Sequence, residues 1–166
     1  MVARLVTFGS AVFLAAMLIL SLVRGTRAED MGQPAADSGI VTGKSGYPLG
    51  ETIARLKQDI ASKGITFFSE IDESQLAAKA GIQARPTTLL VFGNPPLGTQ
   101  FITSNQLAGL DWPVRLLVFE DERGQVWTAY TDFDYIARRH HITDRKAAFA
   151  MASKVIASIV SSVAAK

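Results

Sequence analysis

Residues 86–95 read Pro86-Thr87-Thr88-Leu89-Leu90-Val91-Phe92-Gly93-Asn94-Pro95. From Thr87 to Phe92 the run is β-branched and apolar without alternation, which predicts a strand buried on both faces and central in its sheet. Gly93-Asn94-Pro95-Pro96 then ends it, and such a cluster predicts a turn at the strand's carboxyl end. That is where open α/β sheets tend to hold ligands.

Upstream, residues 49–63 place Leu49, Ile53, Leu56 and Ile60 at three- and four-residue steps, with Glu51, Arg55, Lys57 and Asp59 facing out. The pattern is an amphipathic helix, and Gly64 suits its stop. Residues 65–68 follow as a strand. Asp72 with Gln75 three residues later predicts a capped helix over 73–80, ended by Gly81. Ile40 and Val41 begin a first strand that closes at the turn-like residues 44–48.

Downstream, residues 97–110 predict one irregular helix. Residues 114–119 and 125–130 flank Glu120-Asp121-Glu122-Arg123-Gly124 as an antiparallel hairpin, with Gly124 in the positive-φ position. Thr131 and Asp134 predict a helix start leading to His140. Residues 144–164 predict a long final helix whose apolar face, with Phe149, Ala152, Ile156 and Ile159, covers the sheet or a partner subunit. The expected fold is therefore α/β (α+β): one domain over residues 40–166, with a small mixed β-sheet of about five strands packed by helices.

The segment before the domain has another character. Residues 5–23 are an apolar run interrupted only by Thr7, Gly9, Ser10 and Ser21, with Arg4 ahead and Arg24 and Arg27 behind. Thr26 and Ala28 suit a peptidase site, so residues 1–28 are expected to be a signal peptide, with an uncleaved anchor as the alternative. Either way a bacterial domain is exported, to the periplasm or the extracellular space, or stays anchored in the inner membrane with the domain outside the cytoplasm. Residues 29–39 are mostly Gly, Pro, Ala, Asp and Ser with little to bury, which predicts a flexible tether.

Removing residues 1–28 lowers the formal charge from +2 to −1, 14 basic residues against 15 acidic. The basic balance belongs to the leader, and the rest has no cluster larger than Arg138-Arg139 beside two histidines, so no nucleic-acid partner is expected. The chain has no cysteine, which excludes disulfides, thiolate nucleophiles and zinc–thiolate sites.

Candidate chemistry is sparse. Asn94 can offer an amide and Thr99 a hydroxyl to a small molecule at the strand's end, although Asn94 can equally bond its own loop backbone. Gly93 and Gly98 make no phosphate loop, because the Lys-Ser/Thr pair is missing. Asp72, Asp111, Glu120 and Tyr130 would form an acid–base group if they met at one end of the sheet. His140 and His141 point about 100° apart on a helix and cannot share a metal as an i, i+4 pair would, so they are expected to be solvated helix-end residues. Trp112 and Trp127 are expected to be core or interface anchors. No metal site and no cofactor are expected.

Residues 86–95, Leu110-Asp111-Trp112-Pro113-Val114-Arg115 and Gly124-Gln125-Val126-Trp127-Thr128-Ala129-Tyr130, taken together, resemble the domain of unknown function 302 family over roughly residues 50–141. The resemblance implies a small α/β protein and a homodimer, and it implies no activity. Relatives commonly carry Asp-His where this chain has Asp72-Glu73, so any metal or acid–base role of that histidine would be missing here.

The functional expectation is a non-catalytic small-molecule-binding or protein-interaction module, touching a membrane only through residues 1–28 if these are uncleaved. One alternative is a carboxylate-dependent hydrolase or isomerase with a pocket near Asn94 that also holds Asp72 and Tyr130. Another is a degenerate thioredoxin-like domain without redox activity, suggested by residues 81–87 ahead of an apolar strand; a cis bond before Pro86 would support it.

Overall fold

The computed structural model describes residues 38–166, so the expected leader and most of the expected tether lie outside the described residues. Five strands and five α-helices follow in the order β1 (Ile40–Lys44), α1 (Leu49–Ser62), β2 (Thr66–Asp72), α2 (Glu73–Lys79), β3 (Thr87–Gly93), α3 (Pro95–Ser104), β4 (Val114–Glu120), β5 (Val126–Thr131), α4 (Phe133–Arg139) and α5 (Lys146–Ser161). A 3₁₀ turn, Gln106–Leu110, joins α3 to β4.

The class and the strand number are as expected. The direction is not: the sheet order is β1-β5-β4-β3-β2 and all four pairings are antiparallel, so the sheet is not mixed. The helices between consecutive strands return the chain to a neighbour running the other way, while α1 carries it between the two edge strands, β1 and β2. The Arg85–Pro86 bond is trans, and the one cis peptide among the described residues is Trp112–Pro113.

A strand's side chains alternate between faces. On one face Thr88, Leu90 and Phe92 of β3 align with Val118, Leu116 and Val114 of β4, and all but Val114 are buried. Ile53, Leu56 and Ile60 of α1 pack on that face with Phe101 of α3, Phe133 and Ile136 of α4, and Ile156 and Ile159 of α5. The apolar side of α5 therefore covers its own sheet. The opposite face carries Leu89, Val91, Leu117, Phe119, Trp127 and Ala129, none of them buried. The expectation that β3 is buried on both faces is corrected, since one face is covered; β3 does lie inside the sheet, between β4 and β2, with β4 as the middle strand.

Local signals are realised closely. Asp72 accepts from the Gln75 amide at the start of α2. Gly64, Gly81 and Gly124 hold positive φ where the helices and the hairpin need it. The expected turn at 93–96 is instead a helix start: Asn94 caps α3, with prolines in its first turn, whose missing N–H groups have no intrahelical acceptor there. The cap of α4 is Asp132, which accepts from the Tyr135 amide, while Thr131 ends β5.

Helix α3 is seated by two contacts. Phe101 stacks on Phe149 at 4.1 Å between centroids, with Phe133 at 6.0 Å. Gly98 lies under the Trp112 indole so closely that a Cβ there would stand 1.8 Å from Nε1. Gly98→Ala should therefore destabilise the protein by about 1–3 kcal/mol, the range for overpacking, despite its better helix propensity. Gly109→Ala, where a Cβ meets nothing within 4 Å, should stay near the parent. Urea unfolding of the two variants checks both; equal midpoints would refute this account of the seat.

Candidate functional site

Asn94 ends β3 and begins α3, and its Oδ1 accepts from the Leu97 amide at 3.2 Å. The cap directs the side chain to the edge of a narrow recess of about 30 Å³ walled by Phe92, Leu97, Phe101, Trp112, Ile156 and Ile159. Ile65, Asn94, Leu97 and Val155 also border a second, more open groove of about 510 Å³ between α3 and α5, so the two adjoin. Pro96 and Gln100 of α3 face Met151, Lys154 and Ser158 of α5 across the groove, and Lys63 stands at its end. Among the described residues no acidic side chain lines either space.

Thr99 does not share the site: its hydroxyl donates to the Pro95 carbonyl at 2.7 Å, within the helix. Asp72 lies opposite Thr88, at the far end of β3 from Asn94. Six strand residues at about 3.4 Å each separate the two by roughly 20 Å. Asp72 is exposed, and the Ser74 hydroxyl and then the Gln75 amide hold its carboxyl below the usual carboxylate range. Tyr130 is half-buried on β5, opposite Leu116. Burial and then the Asp132 charge push its phenol up. Neither lines the recess or the groove. Glu120 sits at the hairpin end, its amide donating to the Pro86 carbonyl. The four groups do not converge.

A polar cluster that the sequence reading missed forms around Asp111. Its Oδ2 is 2.6 Å from His140 Nε2, and its Oδ1 is 3.3 Å from both the Arg115 and the Arg139 guanidinium. Asp111 and His140 are buried, and the Asn105 amide donates to the His140 carbonyl. The expectation that both histidines are solvated fails for His140. Its position at the end of α4 turns it inward to a carboxylate 29 residues earlier in the chain, which no local pattern announces. His141 is exposed at φ 53°. Trp127 donates from Nε1 to Asp121 at 2.9 Å and stands on the uncovered sheet face, whereas Trp112 walls the recess. Among the described residues no group of three or more His, Cys, Asp or Glu is placed to hold a metal ion.

Residues 41–159 match the model of the family described as domain of unknown function DUF302. Two similar curated proteins, each named fluoride-specific ion channel FluC 1, come from Brucella suis biovar 1 (strain 1330) and Brucella abortus biovar 1 (strain 9-941). Each is 39% identical over 106 residues, 64% of this chain and 42% and 39% of theirs respectively. The chain thus spans about two fifths of the length of these relatives. Among the described residues no helix is long and apolar enough to cross a membrane. A crystal structure of an uncharacterized conserved DUF302 protein from Bacillus stearothermophilus superposes with a TM-score of 0.69 at 18% identity. It covers 76% of this chain and 98% of that one, a likeness of fold.

The Asp111 cluster ties the start of β4 to the end of α4. Asp111→Ala would leave the buried His140 Nε2 and the Arg139 guanidinium without their partner, while Arg115 keeps the Leu110 carbonyl at 2.6 Å, at a cost of about 1–3 kcal/mol. Urea unfolding should show that loss; a midpoint unchanged from the parent would mean the cluster contributes nothing to the fold.

Proposed function

The chain belongs to the family of the domain of unknown function DUF302, and on that premise we propose that it is a non-catalytic binding module, exported from the cytoplasm, that holds a small, mostly apolar molecule behind Asn94. The observation that carries this reading is the recess and its adjoining groove: apolar walls, an Asn94 amide at the shared edge, and lysines on the outer rim. Concave, apolar spaces with a few polar groups are the common form of small-molecule sites. A hydrolase or isomerase at the same mouth would need a carboxylate there, and among the described residues the lining has none. The apolar run at 5–23 with its flanking arginines supports export. The proposal does not extend to the ion conduction named for the Brucella relatives. Native mass spectrometry of the protein from its own cells should show a co-purifying small molecule that is lost on denaturation. Only bare protein, there and after incubation with lipid and metabolite extracts, would count against the site.

A second reading, self-association, is favoured by a separate observation. Leu89, Val91, Leu117, Phe119 and Trp127 form a contiguous apolar surface on the sheet face away from the helices. Surfaces of this kind on soluble proteins mark interaction sites. A homodimer placing two such faces together would cover them symmetrically. Light scattering at micromolar concentration should show a dimer, and Leu117→Asp, in the middle strand, should convert it to monomer. A parent protein that is monomeric throughout would end this reading.

A further inference from the structure

We propose that the ligand is a straight-chain carboxylate, its tail in the recess and its head on Lys154. This inference rests on the reading of the recess and groove as a small-molecule site. Met151, Lys154, Val155 and Ser158 fall at three- and four-residue steps on α5, so one stripe of that helix forms the groove wall and sets a cation beside apolar side chains. Opposite, Leu97 and Pro96 continue the apolar wall, and Gln100 beyond them is polar. Among the described residues the rim carries lysines and no acidic side chain. Lys63 is already held by Asp59, at 2.7 Å from both carboxylate oxygens. Lys154 makes no ion pair among the described residues.

The groove therefore offers one uncompensated positive charge, and a single carboxylate satisfies it with a charge-assisted hydrogen bond. The Asn94 side chain, whose oxygen is engaged by the helix cap, has only its N–H donors left to offer, and these too suit an anion. The recess selects the tail. At about 30 Å³ between aromatic and β-branched walls it admits the end of a polymethylene chain and is too tight for a ring. Each methylene that leaves water there contributes about 0.8 kcal/mol.

Trp112 walls the recess while Trp127 stands on the other sheet face, so Trp127→Phe makes Trp112 the only tryptophan of the chain and a reporter of occupancy. The protein, purified in the form its cells produce and freed of bound lipid, is titrated with octanoate, octan-1-ol and octylammonium by Trp112 fluorescence and by calorimetry. Octanoate should saturate, with octan-1-ol about tenfold weaker and octylammonium weaker still. Lys154→Gln should reduce octanoate to the level of the alcohol, and Lys154→Arg should retain its affinity. Both substitutions are at an exposed helix position and leave the core untouched. If none of the three amphiphiles gives a saturable response by either method, the site itself is refuted. If all three bind equally, or the amine binds most tightly, the site stands and the carboxylate class is overturned. If octanoate binds and Lys154→Gln leaves it unchanged, the assignment of the head to Lys154 is overturned.

Discussion

Burial of one face of one sheet is the constraint on which the rest of the structure depends. Leu90 and Phe92 of β3 and Leu116 and Val118 of β4 sit in two adjacent inner strands, nearly inaccessible to water, and each contributes about 1.5–3 kcal/mol by leaving it. Because α1 runs from one edge strand to the other, it lies across that face, and α5 packs beside it with α3 and α4. Four helices, α1, α3, α4 and α5, lie on that side, and the fifth, the short α2 beside β3, buries none of its own residues. The uncovered apolar side of the sheet is thus a consequence of topology, not an accident of composition.

The same arrangement opens the recess. Helices α3 and α5 are held together through the Phe101–Phe149 stack, and α3 is drawn onto the sheet by the contact of Gly98 with Trp112. Between these two fixed points α5 presents Ala152, Val155 and Ile156 and no aromatic ring, so the space behind Asn94 is lined but not filled. A residue larger than glycine at 98 would lift the helix, and a larger one at 152 would enter the recess. The site is a product of packing rather than of a loop.

What was legible in the sequence is what depends on neighbours within a turn or two. The Asp72 cap, the glycine stops at 64 and 81, the 120–124 hairpin and the face of α1 are all local, and all are present. Asn94 was singled out for its place at a strand's end, and it does border the recess, but its proline pair begins a helix instead of closing a turn. Strand direction was not legible, because it depends on which strands become neighbours. The Asp111–His140 contact was not either: it joins residues in different elements, and a histidine at a helix end has the same local pattern whether it turns outward or inward. Asp72 and Tyr130 were grouped by chemistry alone, and the sheet register puts them elsewhere.

The run 87–92 does not alternate, which predicts burial on both faces, and the structure covers it on one. A one-sided sheet ordinarily carries polar residues outward, where water is the neighbour. Here Leu89 and Val91 stand outward, aligned with Leu117 and Arg115, so the inner strands carry the composition of a two-sided sheet while the chain supplies cover for one side. Phe92 and Val91 are consecutive residues that face the recess and the open surface respectively. A ligand among the helices and a partner on the bare face would therefore touch the same strand from opposite sides without competing for space, and a binding module that also self-associates is consistent with a single fold.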